Sequence, residues 1–158
     1  MKHFIFLAIG IVMFNSCKKE SIEKVQDDFI VFGHFYGECM GEECVELFKL
    51  TNSTLFEDTN DNYPSSLNPY NGNFTIDRSS LINQIDDIWE AIPEQLLDEN
   101  TITIGEPDAG DWGGIYFQYH HNGADQYWLI DKMKENVPQY LNDFIDSIEA
   151  KISLINEN

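Results

Sequence analysis

The segment FIVFGHFYGECMGEECVELFKL, residues 29–50, decides the fold that we predict for this chain. Two apolar runs flank a Gly-rich, acidic turn that carries Cys39 and Cys44. Runs of β-branched and aromatic residues are typical of strands, and glycines supply the positive φ angles that tight turns need. The segment therefore predicts a β-hairpin. Gly33, inside the first strand, indicates a bulge or a close backbone approach.

A second hairpin is predicted in the C-terminal half of the chain. Asn122-Gly123 stands between two runs of aromatic and apolar residues, 115–121 and 126–131. An Asn-Gly pair between such runs is the strongest short-range signal for a hairpin, because both residues tolerate the positive φ of a primed turn. Shorter strands are expected at residues 54–57, 74–77 and 101–104.

Two amphipathic helices complete the predicted fold. Apolar residues recur at helical spacing over residues 81–92 and again over residues 137–156, where Pro138 lies in the first turn. We therefore predict an α+β fold, an antiparallel sheet built from two hairpins with two amphipathic helices packed on one face. The opposite face of the sheet is expected to be exposed or covered by a long loop over residues 58–73, which is dense in Asn, Asp, Pro and Gly.

Residues 1–16 form a leader. Lys2 precedes an apolar run, residues 4–14; the run has about 11 residues, whereas a membrane-spanning helix needs about 20, so we interpret the leader as a signal peptide that is removed. The sequence Phe14-Asn15-Ser16-Cys17 resembles the lipobox of bacterial lipoproteins. That resemblance implies that Cys17 becomes the lipidated first residue of the mature chain, whereas the alternative is an ordinary secretory leader followed by a chance cysteine.

The domain organisation follows from the leader and from composition. Residues 17–27 are polar and charged, and we interpret them as a lipidated tether. Residues 28–158 suit a single α+β domain, because the chain is 42% hydrophobic and 13% aromatic and can bury a core. The net charge of −19 excludes nucleic acid as a partner, since that binding depends on Lys and Arg at phosphates. It also leaves membrane contact to the acyl chains on Cys17.

Cys39 and Cys44 offer two kinds of chemistry. Five positions apart across a turn, they can form a disulfide, which an oxidising envelope compartment favours. The alternative is a metal site completed by His34, His120 or His121. Zinc sites use paired cysteines and spaced histidines, and adjacent histidines on a strand point to opposite faces, so the disulfide is favoured and no metal is expected.

The Gly-rich loop that precedes the second hairpin is the candidate binding loop. Asp108, Asp111 and Trp112 lie there among glycines. The two carboxylates can cap turns through bonds to backbone N–H groups, which we favour, or hold a cation for a hydrolase. No nucleophile, zinc-protease or phosphate-loop motif is present in the sequence. We therefore predict no catalytic residues, no cofactor and no enzymatic activity.

Several motifs together resemble a family of bacterial lipoproteins to which no activity is assigned. They are Gly37-x-Cys39-x-Gly41, EPDAGDWGGIY at residues 106–116, WLID at residues 128–131 and VPQYL at residues 137–141. In that group the Pro-Asp loop often has flanking cysteines, where this chain has Glu106 and Ala109. Glu43 is an additional residue between the turn cysteines.

The order of elements is also similar to that of the emfourin-type inhibitors of metallopeptidases. These proteins have a Gly-rich first hairpin, a middle helix, a Pro-Asp strand pair and a last helix that opens near Leu-Pro. The lipobox and the first of these resemblances lead us to expect a membrane-anchored lipoprotein in the envelope of a Gram-negative bacterium, at the outer membrane. Its expected function is non-enzymatic binding of a protein or ligand. The alternatives are an emfourin-type metallopeptidase inhibitor and a cation-dependent hydrolase that uses Asp108 and Asp111.

Overall fold

The computed structural model describes residues 27–158; the predicted signal peptide, the tether to residue 26 and Cys17 lie outside this range. Within it, the strands are β1 (Phe29–Phe35), β2 (Val45–Thr51), β3 (Leu55–Asp58), β4 (Phe74–Asp77), β5 (Thr103–Ile104), β6 (Gly114–His121) and β7 (Ala124–Asp131). They form one sheet in the spatial order β4-β3-β2-β1-β6-β7-β5. Neighbouring strands are antiparallel except β5 and β7, which are parallel. The structure thus confirms an α+β protein with a mostly antiparallel sheet.

Both predicted hairpins are present. β1 pairs with β2, and β6 pairs with β7, each in a continuous register. Asn122 and Gly123 have φ angles of 52° and 78°, as a two-residue primed turn requires. Gly33 marks a close approach rather than a bulge, because a Cβ atom there would lie 1.8 Å from the carbonyl oxygen of Glu46.

The sheet is nevertheless larger than the two predicted hairpins. β3 and β4 extend the sheet beyond β2, and β5 adds a parallel edge beside β7. The β1–β2 and β6–β7 hairpins join directly, since β1 pairs with β6 along its whole length. Strand pairing between distant segments is what the local sequence pattern could not specify.

The helices also differ from the two that were predicted. The structure has α1 (Ile82–Ile85), α2 (Ile88–Ala91), α3 (Glu94–Leu97) and α4 (Asn142–Asn156) in residues 27–158, with short 3₁₀ turns at Glu42–Cys44, Ser79–Leu81, Lys134–Asn136 and Gln139–Leu141. The helix predicted over residues 81–92 is divided after Ile85, where the Trp89 and Glu90 amides bond three residues back to Asp86 and Asp87. Adjacent aspartates have low helix propensity, which accounts for the break. Regular helix in the last segment begins after Pro138, whose ψ of 139° is extended.

The main core lies between the helices and one face of the sheet. Ile30 and Phe32 of β1 face this side, where Phe117 meets Phe144 of α4 edge-on at 4.9 Å. Trp89 is 2% exposed, so it is a core residue of the helical layer. Alternate residues of β1, such as Val31 and Phe35, enter a second core on the opposite face. β1 is therefore buried on both sides, as its sequence predicts.

The loop between β3 and β4 covers part of that opposite face. The Tyr70 ring packs 5.9 Å from the ring of Tyr116, and the Tyr63 ring meets Phe35 edge-on at 5.0 Å. The Tyr70 amide donates a hydrogen bond of 2.7 Å to the Tyr116 hydroxyl, whose proton goes to Gln118 at 2.8 Å. The long loop is thus an ordered cover over the second core.

Asp58 fixes both ends of this loop. It is 3% exposed. Its Oδ2 accepts hydrogen bonds from the Asn60 and Asp61 amides, each at 3.2 Å, and from the Tyr70 hydroxyl at 2.6 Å. Its Oδ1 accepts the Asn73 amide. Burial and the bond to Asp58 raise the pKa of Tyr70 above its ordinary value.

The predicted disulfide is confirmed, with a Cys39–Cys44 Cα separation of 5.6 Å. Such a small ring is expected to contribute about 2 kcal/mol on the chain-entropy model. Replacing both cysteines by serine should therefore lower the free energy of unfolding by about 2 kcal/mol, measured by urea denaturation. Reducing agent should produce the same loss in the wild type and none in the double-serine variant. Equal stability of oxidised and reduced wild type would contradict this assignment.

Candidate binding surface at the loop end of the sheet

One end of the sheet carries most of the features that the sequence singled out. We call it the loop end: β1, β3 and β7 finish there, and β2, β4 and β6 begin there. The cysteine turn between β1 and β2, the start of the loop after Asp58 and the Gly-rich loop before Gly114 all leave the sheet at this end. Segments that are far apart in sequence are thereby brought together.

Asp108 connects these three loops. Its Oδ2 accepts hydrogen bonds of 2.8 Å from the Gly37 amide of the cysteine turn and from the Tyr63 hydroxyl of the long loop. Its Oδ1 accepts the Gly113 amide at 3.2 Å, and its own amide donates to the Gly113 carbonyl at 2.9 Å. Charged acceptors make stronger hydrogen bonds than neutral ones, so a single carboxylate fixes the relative positions of the loops.

The environment of Tyr63 shows the effect of this carboxylate. Burial of part of the ring, together with the hydrogen bond to Asp108, raises the pKa of the Tyr63 hydroxyl above its ordinary value. The phenol therefore remains a proton donor to Asp108 throughout the neutral range. This is the turn-capping role expected for Asp108, extended to a second loop.

Four large apolar side chains are exposed on the loops that Asp108 joins, and three of them lie close in sequence to Asp108 or to its hydrogen-bond partners. The fourth, Leu67, follows Ser66, whose carbonyl accepts the Tyr127 hydroxyl of β7. Met40, which follows Cys39 in the disulfide ring, is 97% exposed, Tyr63 is 50% exposed and Trp112 is 59% exposed. With Asp108 and Asp111 they define what we call the loop-end surface. Asp111 is exposed and, like Asp108, has a positive φ, 66° and 63° respectively. The surface combines apolar anchors with negative charge.

A hydrogen-bonded cluster connects the cysteine turn to the last helix. The His34 imidazole Nε2 lies 3.2 Å from the Glu43 carbonyl and 3.0 Å from the Glu46 carboxylate. Asn156 of α4 donates to the same carboxylate at 2.6 Å. Burial acts to raise the pKa of Glu46, but the hydrogen bonds from His34 and Asn156 outweigh it and hold the pKa below 4.5.

This pKa gives a pH-dependent prediction. Because the folded-state pKa of Glu46 is depressed, its stabilising effect is present above the unfolded value of 4.5 and is lost as pH falls through the lower folded value. Glu46→Gln should therefore be less stable than the wild type at neutral pH, with the gap closing well below pH 4.5. Urea denaturation of both proteins at neutral pH and well below pH 4.5 measures this difference in stability. The control is Glu94→Gln at an exposed site, and a gap independent of pH would refute the assignment.

A groove of about 320 Å³ lies beside this cluster, between β1 and α4. Its floor includes Lys132, whose ammonium contacts Glu149 at 2.6 Å and donates to the Tyr36 hydroxyl. Burial alone would lower the pKa of Lys132, but these two hydrogen bonds raise it. Lys132 and Glu149, which line the groove, are thus paired with each other.

His120 and His121 lie far from the cysteines, whereas His34 contacts the cysteine turn through the Glu43 carbonyl and not through a cysteine. His120 Nδ1 lies 2.9 Å from Asp125, and His121 Nδ1 lies 2.8 Å from the buried Asp28, at the end of the sheet opposite the loop end. Neither imidazole is hydrogen-bonded to a hydroxyl or thiol within residues 27–158. In the same described range, no group of three or more His, Cys, Asp or Glu side chains could hold a metal ion. The alternative of a Cys-His metal site is wrong, because the two cysteines are bonded to each other.

Sequence reasoning found the cysteine turn and the Gly-rich loop but missed two partners. Tyr63 was predicted only as part of the long loop over residues 58–73, although its hydroxyl bonds to Asp108, 45 positions away. Asp58 was predicted only as the first residue of that loop. Asp-Thr-Asn after a strand is also the pattern of an Asx turn, and that signal could have indicated its structural role.

Comparisons with family models, with curated proteins and with solved structures found no match. Within the described part of the chain, no helix has the length and apolar character needed to cross a bilayer. The loop-end surface is therefore the feature from which a function can be proposed.

Proposed function

We propose that this protein is a lipid-anchored, non-enzymatic binding module of the bacterial envelope, which recruits a protein partner through the loop-end surface. The observation that carries the proposal is the Asp108 carboxylate, which holds three loops in fixed positions while each presents a large exposed apolar side chain. Anchoring is assigned to Cys17 on the resemblance to the lipobox, with the outer membrane of a Gram-negative bacterium as the location.

The composition of the surface supports a protein as the partner. Aromatic residues and Met are enriched at protein interfaces, and a few such side chains usually supply most of the binding energy. Trp112, Tyr63 and Met40 are of these types and are far more exposed than core residues. A single exposed apolar residue needs no explanation, but three on loops joined by one carboxylate form a set of anchors.

Preorganisation supports the same conclusion. Ordering a loop on binding costs free energy, so loops held before binding retain more of the contact energy as affinity. Here the disulfide closes the cysteine turn, and Asp108 bonds that turn to the two other loops. The partner meets a surface that is already formed.

The charge of the protein narrows the chemistry of the partner. The net charge is −19, and Asp111 and Glu38 are exposed beside the apolar anchors. A partner surface of opposite charge associates with such a surface faster, and complementary charge discriminates against wrong partners. We therefore expect a basic protein surface with an apolar pocket.

Trp112→Ala provides the test of this proposal. A soluble form that begins at Lys18 is used as bait in envelope extract, and the captured partner is then titrated in purified form. A central aromatic anchor contributes about 2 kcal/mol or more, so the variant should bind about 30-fold more weakly. Leu67→Ala is the matched control, since Leu67 is 82% exposed but lies outside the loop-end surface. Equal affinity of the two variants would remove the proposal.

A metallopeptidase inhibitor is a second candidate, favoured by one observation. Met40 lies within a covalently closed ring and is 97% exposed, and a closed loop with an exposed apolar side chain can enter a cleft with little loss of conformational freedom. The soluble protein would then inhibit thermolysin-like peptidases, and Met40→Ala would weaken inhibition. Absence of inhibition at micromolar concentration removes this candidate. For the hydrolase alternative, a cation at Asp108 would compete with the hydrogen-bond donors on both of its oxygens.

A further inference from the structure

The chain joins the domain at the end of the sheet opposite the loop-end surface. β1 begins at Phe29, which pairs with His120 near the β6–β7 turn, and finishes at Phe35, which pairs with Gly114 at the loop end. Its seven residues span about 20 Å at about 3.3 Å per residue. The first described residues and the cysteine turn are therefore separated by the full length of the central strand.

Buried contacts fix the point where the chain joins the sheet. Asp28, just before β1, is 1% exposed, and His121 lies 2.8 Å from its carboxylate. The Asn122 amide donates to the same carboxylate at 3.4 Å. The β2–β3 turn containing Ser53 lies at this end as well, because Thr51 pairs with Phe29. We call this region, Asp28 with Ser53 and Asn122, the tether end.

We infer that the anchored domain stands with its tether end toward the bilayer and presents the loop-end surface away from it. The partner is then a macromolecule in the aqueous compartment and not the membrane itself. This inference depends on the anchoring given in the proposed function. Exposed aromatic side chains such as Trp and Tyr can contact either a protein partner or a membrane interface. The orientation assigns those of the loop-end surface to a protein partner.

The reach of the tether favours this orientation. Eleven residue steps lead from Cys17 to Asp28, and a chain of that length spans at most about 40 Å when fully extended. To bring the loop end to the bilayer, this segment would have to run back along the whole of β1 and the turn beyond it, and β1 alone takes up about half of that reach.

The test places one fluorescent label at each end of the full-length protein. The acylated protein is reconstituted in phosphatidylethanolamine–phosphatidylglycerol vesicles that contain lipids with a headgroup quencher. Ser53→Cys carries the label at the tether end, and Trp112→Cys carries it at the loop end; both positions are exposed. We expect the label at position 53 to be quenched and the label at position 112 not to be quenched. Equal quenching at the two positions, or stronger quenching at position 112, overturns the orientation.

Failure of the orientation can be distinguished from failure of the anchor. Mass spectrometry of the purified protein reports whether Cys17 carries acyl chains, and Cys17→Ser should abolish vesicle binding. An acylated protein with reversed quenching would overturn only the orientation. A protein without acyl chains overturns the anchor and the orientation together, while the partner titration with Trp112→Ala would still test the loop-end surface.

Discussion

Replacing Asp58 by alanine is expected to lower the free energy of unfolding by about 3 kcal/mol, one of the two largest effects that we predict. The carboxylate is buried and accepts three backbone amides and the Tyr70 hydroxyl. Removing it leaves those donors without their acceptor, and hydrogen bonds to charged groups each contribute about 1.5–3 kcal/mol. The loss should exceed that of any surface substitution.

Urea denaturation of Asp58→Ala against the wild type measures this effect. Asp86→Ala is the control, because Asp86 is exposed on the helical side of the molecule. Tyr70→Phe removes one of the four donors and should cost a smaller amount, about 1 kcal/mol. A change of less than about 1 kcal/mol in Asp58→Ala would show that the long loop does not depend on this residue.

The second large effect is expected for Asp108→Asn. The side-chain amide keeps the size of the carboxylate but replaces one accepting oxygen with a donor, so it cannot accept from Gly37, Tyr63 and Gly113 together. We expect a loss of about 2 kcal/mol in the free energy of unfolding. We also expect faster hydrogen exchange at the Gly37 and Gly113 amides, because the three loops are no longer held together.

Asp111→Asn is the matched control for this prediction. Both aspartates lie in the same loop and have nearly equal positive φ, a conformation that Asn also tolerates. Any cost of the backbone conformation is thus shared by the two variants. If Asp111→Asn changed stability and exchange as much as Asp108→Asn, Asp108 would have no special role at the loop end.

The sequence predicted the local elements of this fold and not their assembly. The cysteine turn and the Asn122-Gly123 hairpin depend on neighbouring residues, and the structure contains both. The helix over residues 81–92 failed because apolar spacing alone does not register a break at Asp86 and Asp87. The strand predicted within residues 101–104 is present as β5, but its parallel pairing with β7 was not predicted, since that pairing joins segments that local pattern cannot connect.

The same limit applies to the candidate site. Asp108 was expected to cap a turn, and its bond to Gly113, five positions away, is of that local kind. Its bond to Gly37 crosses 71 positions and its bond to Tyr63 crosses 45. Only the order of strands in the sheet brings these loops together. A single sequence shows each loop but not that one carboxylate joins them.

Photo-crosslinking in intact cells tests the loop-end surface most directly. A crosslinking amino acid is placed at Met40 or at Trp112 in the full-length protein, and at Ser53 as the control at the tether end; all three positions are exposed. We predict a discrete protein adduct from positions 40 and 112, none from position 53, and loss of the adduct when Asp108→Asn is added. Adducts from position 53 alone, or adducts at both ends that do not respond to Asp108→Asn, would contradict the account.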